Sequence, residues 1–179
     1  YRVGGNYRMP AMCAALLRVQ LARYPEAHAK RTENGTYLAQ RLSEIPGLEP
    51  TVVSPKVTRH AWHLFIWRYD AKAFDGVSRD AFLEAMRKEG VPAYQGYSIP
   101  LTEQPVFAEK RFDLSHPARN VDFTEIAVPV AKRACESEAC WLTQNVLLGS
   151  KADMDDIVTA ARKIYENRHE LVKRSETAS

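Results

Sequence analysis

His60-Ala-Trp-His-Leu-Phe-Ile-Trp-Arg-Tyr69 is the stretch on which the fold turns. Aromatic and branched residues fill it, and such side chains suit a pleated, half-buried surface. Both faces are largely apolar. The stretch therefore reads as a strand central in its sheet, covered by helices on at least one side.

Working outward, residues 48–53 read as a short strand, and Asp75-Gly76 marks a turn. A helix is predicted over 78–89, with Phe82, Leu83 and Met86 inward and a stop at Gly90. Residues 91–101 are extended and rich in Tyr and Pro, and 102–120 are mostly loop. A helix is expected around 129–137, followed by a strand-like Cys140-Trp-Leu142. The last helix is the best signalled: Ser150 and Asp153 have capping-box spacing. Met154, Ile157, Val158, Ala161, Ile164 and Tyr165 then form one apolar stripe. The chain after His169 is polar and expected to fray.

Toward the N-terminus, Met9, Met12, Cys13, Leu16, Leu17 and Val19 fit a helical stripe over 9–24. Pro25 predicts a kink or break, with a second helix over 26–43 and an end at Pro46-Gly47. The sum is an α+β domain of two layers, with a three- to four-stranded, mostly antiparallel sheet covered by helices. The expected division is 1–46 as the end of a larger domain with connecting helices, 47–170 as a smaller C-terminal domain and 171–179 as a frayed tail.

Composition excludes several classes. A chain of 179 residues suits one domain, and 45% apolar with 26% charged residues is ordinary for a globular protein. The net charge of +3 is mild, and its basic residues are interspersed with acids, so no nucleic-acid partner is expected. No apolar run approaches the roughly 18 residues of a membrane span. Cys13, Cys135 and Cys140 fit neither a zinc nor a redox spacing, and reduced thiols in a cytoplasmic protein account for them. No metal site is expected.

Candidate binding residues fall in three places. Gly4-Gly5-Asn6-Tyr7-Arg8-Met9 precedes the first helix, where glycines allow close approach and Asn and Arg can hold an anion such as phosphate. The plainer alternative is that Asn6 satisfies backbone donors and Arg8 is a solvated charge. His60 and His63, on opposite faces of a flat strand, cannot jointly grip a metal. His63 is expected in the core, and His60 either faces a cleft or plays a structural part. Tyr94-Gln95-Gly96-Tyr97 sets hydrogen-bonding aromatics around a glycine, as ligand-lining loops and sheet-edge loops both do. No catalytic constellation stands out, and none of the nine lysines sits in a context suited to covalent catalysis.

Gly5-Asn6-Tyr7-Arg8-Met9 followed by Ala14-Ala15 and Gln20-Leu21 resembles a segment of the DegT/DnrJ/EryC1/StrS aminotransferases, fold-type I pyridoxal-phosphate (PLP) enzymes. His60-Ala-Trp-His-Leu-Phe-Ile66, Gly90-Val-Pro92, Pro100-Leu101, Gln104-Pro105, Cys140-Trp-Leu142 and Met154-Asp-Asp-Ile157 continue the resemblance in order. Pro10 and Met12-Cys13 depart from the commoner residues there. Gln144 to Gly149 is similar to the branch acting on aminocyclitols and aminohydroxybenzoate precursors.

The resemblance implies the C-terminal small domain of such an enzyme with its connecting helix, entered downstream of the lysine that carries the cofactor. It implies a homodimer with shared active sites, PLP as cofactor, and a nucleotide-sugar or cyclitol substrate aminated from glutamate or glutamine. Asn6, with Tyr7 and Arg8, is expected at the phosphate of the partner's cofactor. Tyr94, Tyr97 and His60 are expected near the substrate. Relatives that replace the lysine with His act as sugar dehydratases, which is one alternative. A non-enzymatic α+β binding module is the other.

Overall fold

A computed structural model of the protein describes residues 8–111 and 120–177, with side chains as far as Val172. Helix α1 spans Ala11–Leu42 without interruption, and Pro25 lies inside it. The expected break at Pro25 is absent. Proline removes its own N–H and crowds the carbonyl four residues back, which belongs to Leu21. Leu21 stands 71% exposed, so water is free to meet that carbonyl.

The two halves of α1 differ. Leu38 and Leu42 are buried in the core. Met12, Leu16 and Val19 are 82%, 68% and 58% exposed, so the predicted apolar stripe has nothing packed against it among the described residues.

Four strands follow in chain order: β1 (Leu48–Pro50), β2 (Leu64–Tyr69), β3 (Tyr94–Gln95) and β4 (Ala139–Thr143). They form one sheet in the order β1-β2-β4-β3, every pair antiparallel. Strand β2 is central, as its composition predicts. Its inward residues Phe65, Trp67 and Tyr69 are buried, while Ile66 and Arg68 face outward. The register sets Phe65 against Leu142 and Ile66 against Trp141, so the alternation is shared across the sheet.

Helices α1, α2 (Arg79–Lys88) and α5 (Lys151–Glu166) supply the other side of the core. Tyr69 lies with its ring centroid 4.8 Å from both Phe74 and Phe82, and Phe74 meets Tyr165 edge-on at 5.2 Å. Burial of each such side chain contributes about 1.5–3 kcal/mol. Ser78 caps α2 by accepting from the Ala81 N–H. Ser150 and Asp153 form the capping box of α5. Asn34 donates to the carbonyls of Leu147 and Gly149, and Tyr37 donates to Asp155, so α1 is fastened to the turn before α5 and to α5 itself.

Three local readings change. Residues 102–111 contain a short helix, α3 (Pro105–Ala108), within the expected loop. The helix around 129–137 divides into α4 (Pro129–Arg133) and a wider π turn over Ala134–Glu138 that delivers the chain into β4. Where a polar, fraying end was expected after His169, the chain forms α6 (Arg168–Thr177), with Leu171 and Val172 packed against the core.

Candidate functional site

Two surfaces are candidates for function, the turn that leads into β2 and the β3 edge of the sheet. Strand β2 begins only at Leu64, because Trp62 adopts a left-handed backbone (φ 53°) that breaks the alternation expected from residue 60. The turn sends the Trp62 indole inward, 7% exposed, against Gly35 of α1, where an added Cβ would lie 2.7 Å from two of its ring carbons. A side chain at position 35 has no room, which explains a glycine in mid-helix despite its cost there. The two histidines therefore do not alternate across a strand. His63 is exposed rather than in the core.

His60 is half-buried. Its Nδ1 accepts the Trp62 N–H at 3.1 Å, its carbonyl accepts from His28 Nε2 at 2.9 Å, and its ring meets Trp62 edge-on at 4.4 Å. This cluster lines a cavity of about 440 Å³, whose walls include Thr32, Thr36, Thr51 and Thr58. His60 thus serves both as a structural clamp and as part of a hydroxyl-rich cleft wall.

Tyr94 and Tyr97 lie across the sheet, on the β3 edge. Tyr94 is in register with Trp141, and Tyr97 packs edge-on against Trp141 with centroids 5.3 Å apart. Gly96 donates to the Ala139 carbonyl at 3.0 Å, and a Cβ there would meet the Ala139 Cβ at 2.8 Å. That close approach lays the Tyr97 segment over β4. The tyrosines remain 46% and 71% exposed. His60 leads into the central strand β2, and the tyrosines lie on the β3 edge beyond β4, with Ile66 and Trp141 between them on the outer face.

Asn6 and Tyr7 lie outside the described residues. Arg8 is exposed ahead of α1, whose first turn has neither a side-chain cap nor an acidic residue. Sequence reasoning missed His28, Arg31, Trp141 and Gly35. Of these, only Gly35 carried a signal, as a glycine inside a helical pattern.

Eight of the nine lysines have described side chains, and each is exposed or half-exposed. Lys88 and Lys163 line a groove between α2 and α5, but each is ion-paired, with Glu84 and Glu89 respectively. Both ammonium groups are thus engaged by carboxylates at the surface. Among them no group of three or more His, Cys, Asp or Glu could hold a metal, and no helix is long and apolar enough to cross a membrane.

The sequence profile of the DegT/DnrJ/EryC1/StrS aminotransferase family matches residues 1–162. The chain belongs to this PLP-dependent family. A Micromonospora echinospora protein proposed to be an L-glutamine:3-amino-2,3-dideoxy-scyllo-inosose aminotransferase is 32% identical, over 95% of this chain and 42% of its own length. Among solved structures, an aminotransferase from Psychrobacter cryohalolentis matches with a TM-score of 0.65 and 27% identity, over 94% of this chain and 42% of its own. Crystalline 3-amino-5-hydroxybenzoic acid synthase matches with a TM-score of 0.66 and 24% identity, over 90% and 38%. The fold is thus that of part of a fold-type I aminotransferase. The chain spans about two-fifths of the length of these relatives.

Proposed function

We propose that this chain is the C-terminal part of a PLP-dependent aminotransferase that moves an amino group from glutamine or glutamate to a keto cyclitol or keto sugar. The observation that carries the reading is the family match across residues 1–162 in a chain covering two-fifths of its relatives. The geometry is consistent with it. The outer sheet face presents Tyr94, Tyr97 and Trp141, and the cleft beside His60 is walled in part by Thr36 and Thr58, hydroxyl residues of the kind that suit a polyhydroxylated ring. The cyclitol substrate is favoured by the names of the curated relatives.

When bound, PLP supplies the electron sink of the transfer, and the lysine that carries it belongs outside this chain. Here Asn6, with Tyr7 and Arg8, contributes to the phosphate site of a neighbouring subunit, which requires a homodimer. Tyr94, Tyr97 and His60 border the substrate. The protein works in the cytoplasm.

The test uses the complete protein with amine-labelled L-glutamine and either 2-deoxy-scyllo-inosose or a nucleotide-linked keto sugar. Labelled amino product from one ketone, followed by mass spectrometry, is the expected result. Absence of transfer to either, or a histidine at the cofactor lysine position, overturns the reading. In the same protein Asn6→Ala is expected to weaken PLP retention during dialysis while the unfolding midpoint stays put. Unchanged retention removes Asn6 from the site.

A further inference from the structure

Among the described residues three polar side chains are buried: Arg31, Asn34 and Arg79. Two of them are satisfied. Asn34 donates to two carbonyls, and Arg79 pairs with Asp80 at 3.1 Å and donates to the Cys135 carbonyl at 2.8 Å. Arg31 differs. It is 7% exposed, yet its guanidinium makes one hydrogen bond, from Nη1 to Gln144 Oε1 at 2.7 Å. Its Nε is buried without a partner, and no carboxylate reaches it among the described residues.

A guanidinium is always charged and offers five N–H donors. A neutral amide and the face of the Tyr24 ring, 5.5 Å away, leave the cation without a counter-ion and its Nε without an acceptor. Buried cations without a counter-ion are strongly disfavoured, so a matching anion belongs at this position.

We infer that Arg31, Gln144 and Tyr24 form a receiving site for a carboxylate or similar small oxyanion brought from outside the described residues. The arrangement suits that ligand. Arg31 presents a planar fork matched to two oxygens. Gln144 uses its Oε1 on Arg31, which leaves its amide N–H groups as further donors, and its exposure opens the site to solvent. Tyr24 floors the guanidinium from two turns earlier in α1. The site sits just past the end of β4, which the antiparallel register places beside the start of β2. The inference rests on charge and burial alone, independent of the aminotransferase reading.

Thermal unfolding of the complete protein tests it, in sodium acetate or phosphate against chloride at equal ionic strength and neutral pH. Wild type is expected to gain about 2–4 °C in the oxyanions. Arg31→Gln is expected to lose that difference, which separates site binding from general salt effects. Gln144→Glu, at an exposed position that does not threaten folding, supplies a carboxylate within reach of Arg31. It is expected to raise the midpoint in chloride. A saturable acetate response identifies a site open to free anions. A gain from Gln144→Glu without an acetate response identifies one met only by a tethered carboxylate, and either result supports the inference. No oxyanion response beyond that of Arg31→Gln, together with no gain from Gln144→Glu, overturns it.

Discussion

Gly35 and Trp62 are in contact through the absence of a side chain: a Cβ at residue 35 would lie 2.7 Å from the indole carbons. Trp62 cannot retreat easily, because its left-handed backbone and the His60 contact hold it. Gly35→Ala is therefore expected to destabilise the domain by about 1–3 kcal/mol through overpacking, despite alanine's better helix propensity. Urea unfolding measures it. A neutral or stabilising result would mean that the indole moves aside freely.

That pair also shows where sequence reading stops. The strand at 64–69 and the capped helix at 151–166 were legible because each is set by local periodicity and a local cap. The α+β class and the antiparallel sheet followed from them. The left-handed turn at Trp62 was not legible, since it depends on a glycine 27 positions away that admits the indole. Continuity of α1 through Pro25 was equally hidden, because nothing in the local sequence shows that the turn around Leu21 is exposed. The site was half legible. As candidates, the aromatic residues at 94 and 97 stand out in the sequence, while Arg31 looks like any surface arginine until packing buries it.

Cys140 lies on the inner side of β4 and is fully buried, and burial pushes its thiol up to about 12. Its folded value is above the unfolded one of about 8.5, so its contribution is fully present below the unfolded value. It is lost as pH rises through about 12. Exposed Cys13 is expected to react quickly with a thiol reagent at pH 8, and Cys140 only after denaturant is added. Rapid native-state labelling of Cys140, located by peptide mass mapping, would contradict this burial.

Ser150 accepts the Asp153 N–H at 3.2 Å, and its own N–H donates to Asp153 Oδ2 at 2.6 Å. Ser150→Ala is expected to cost about 1 kcal/mol, a typical loss for an N-cap. Hydrogen bonds from the Ser150 backbone and hydroxyl hold the Asp153 carboxyl below its usual range. The associated stability is present above the unfolded value of about 3.9 and disappears as pH falls through the lower folded one. Stability curves for wild type and Asp153→Asn should therefore converge in acid, and a gap that persists at low pH would exclude the carboxylate as its source.

Pro25 occupies the interior of a 32-residue helix, one position past the ring of Tyr24 that underlies Arg31. Proline in a helix interior costs about 3 kcal/mol relative to alanine. Its stiffening of the unfolded chain returns only about 0.4–1 kcal/mol of that. Pro25→Ala restores an N–H directed at the Leu21 carbonyl and removes the ring's steric pressure on it. A gain of about 1–3 kcal/mol is expected in urea unfolding, with a stronger helical signal in circular dichroism. Loss of stability instead would mean that the proline fixes a bend on which the Tyr24–Arg31 contact depends, and a simultaneous change in the oxyanion response of Arg31 would locate that dependence.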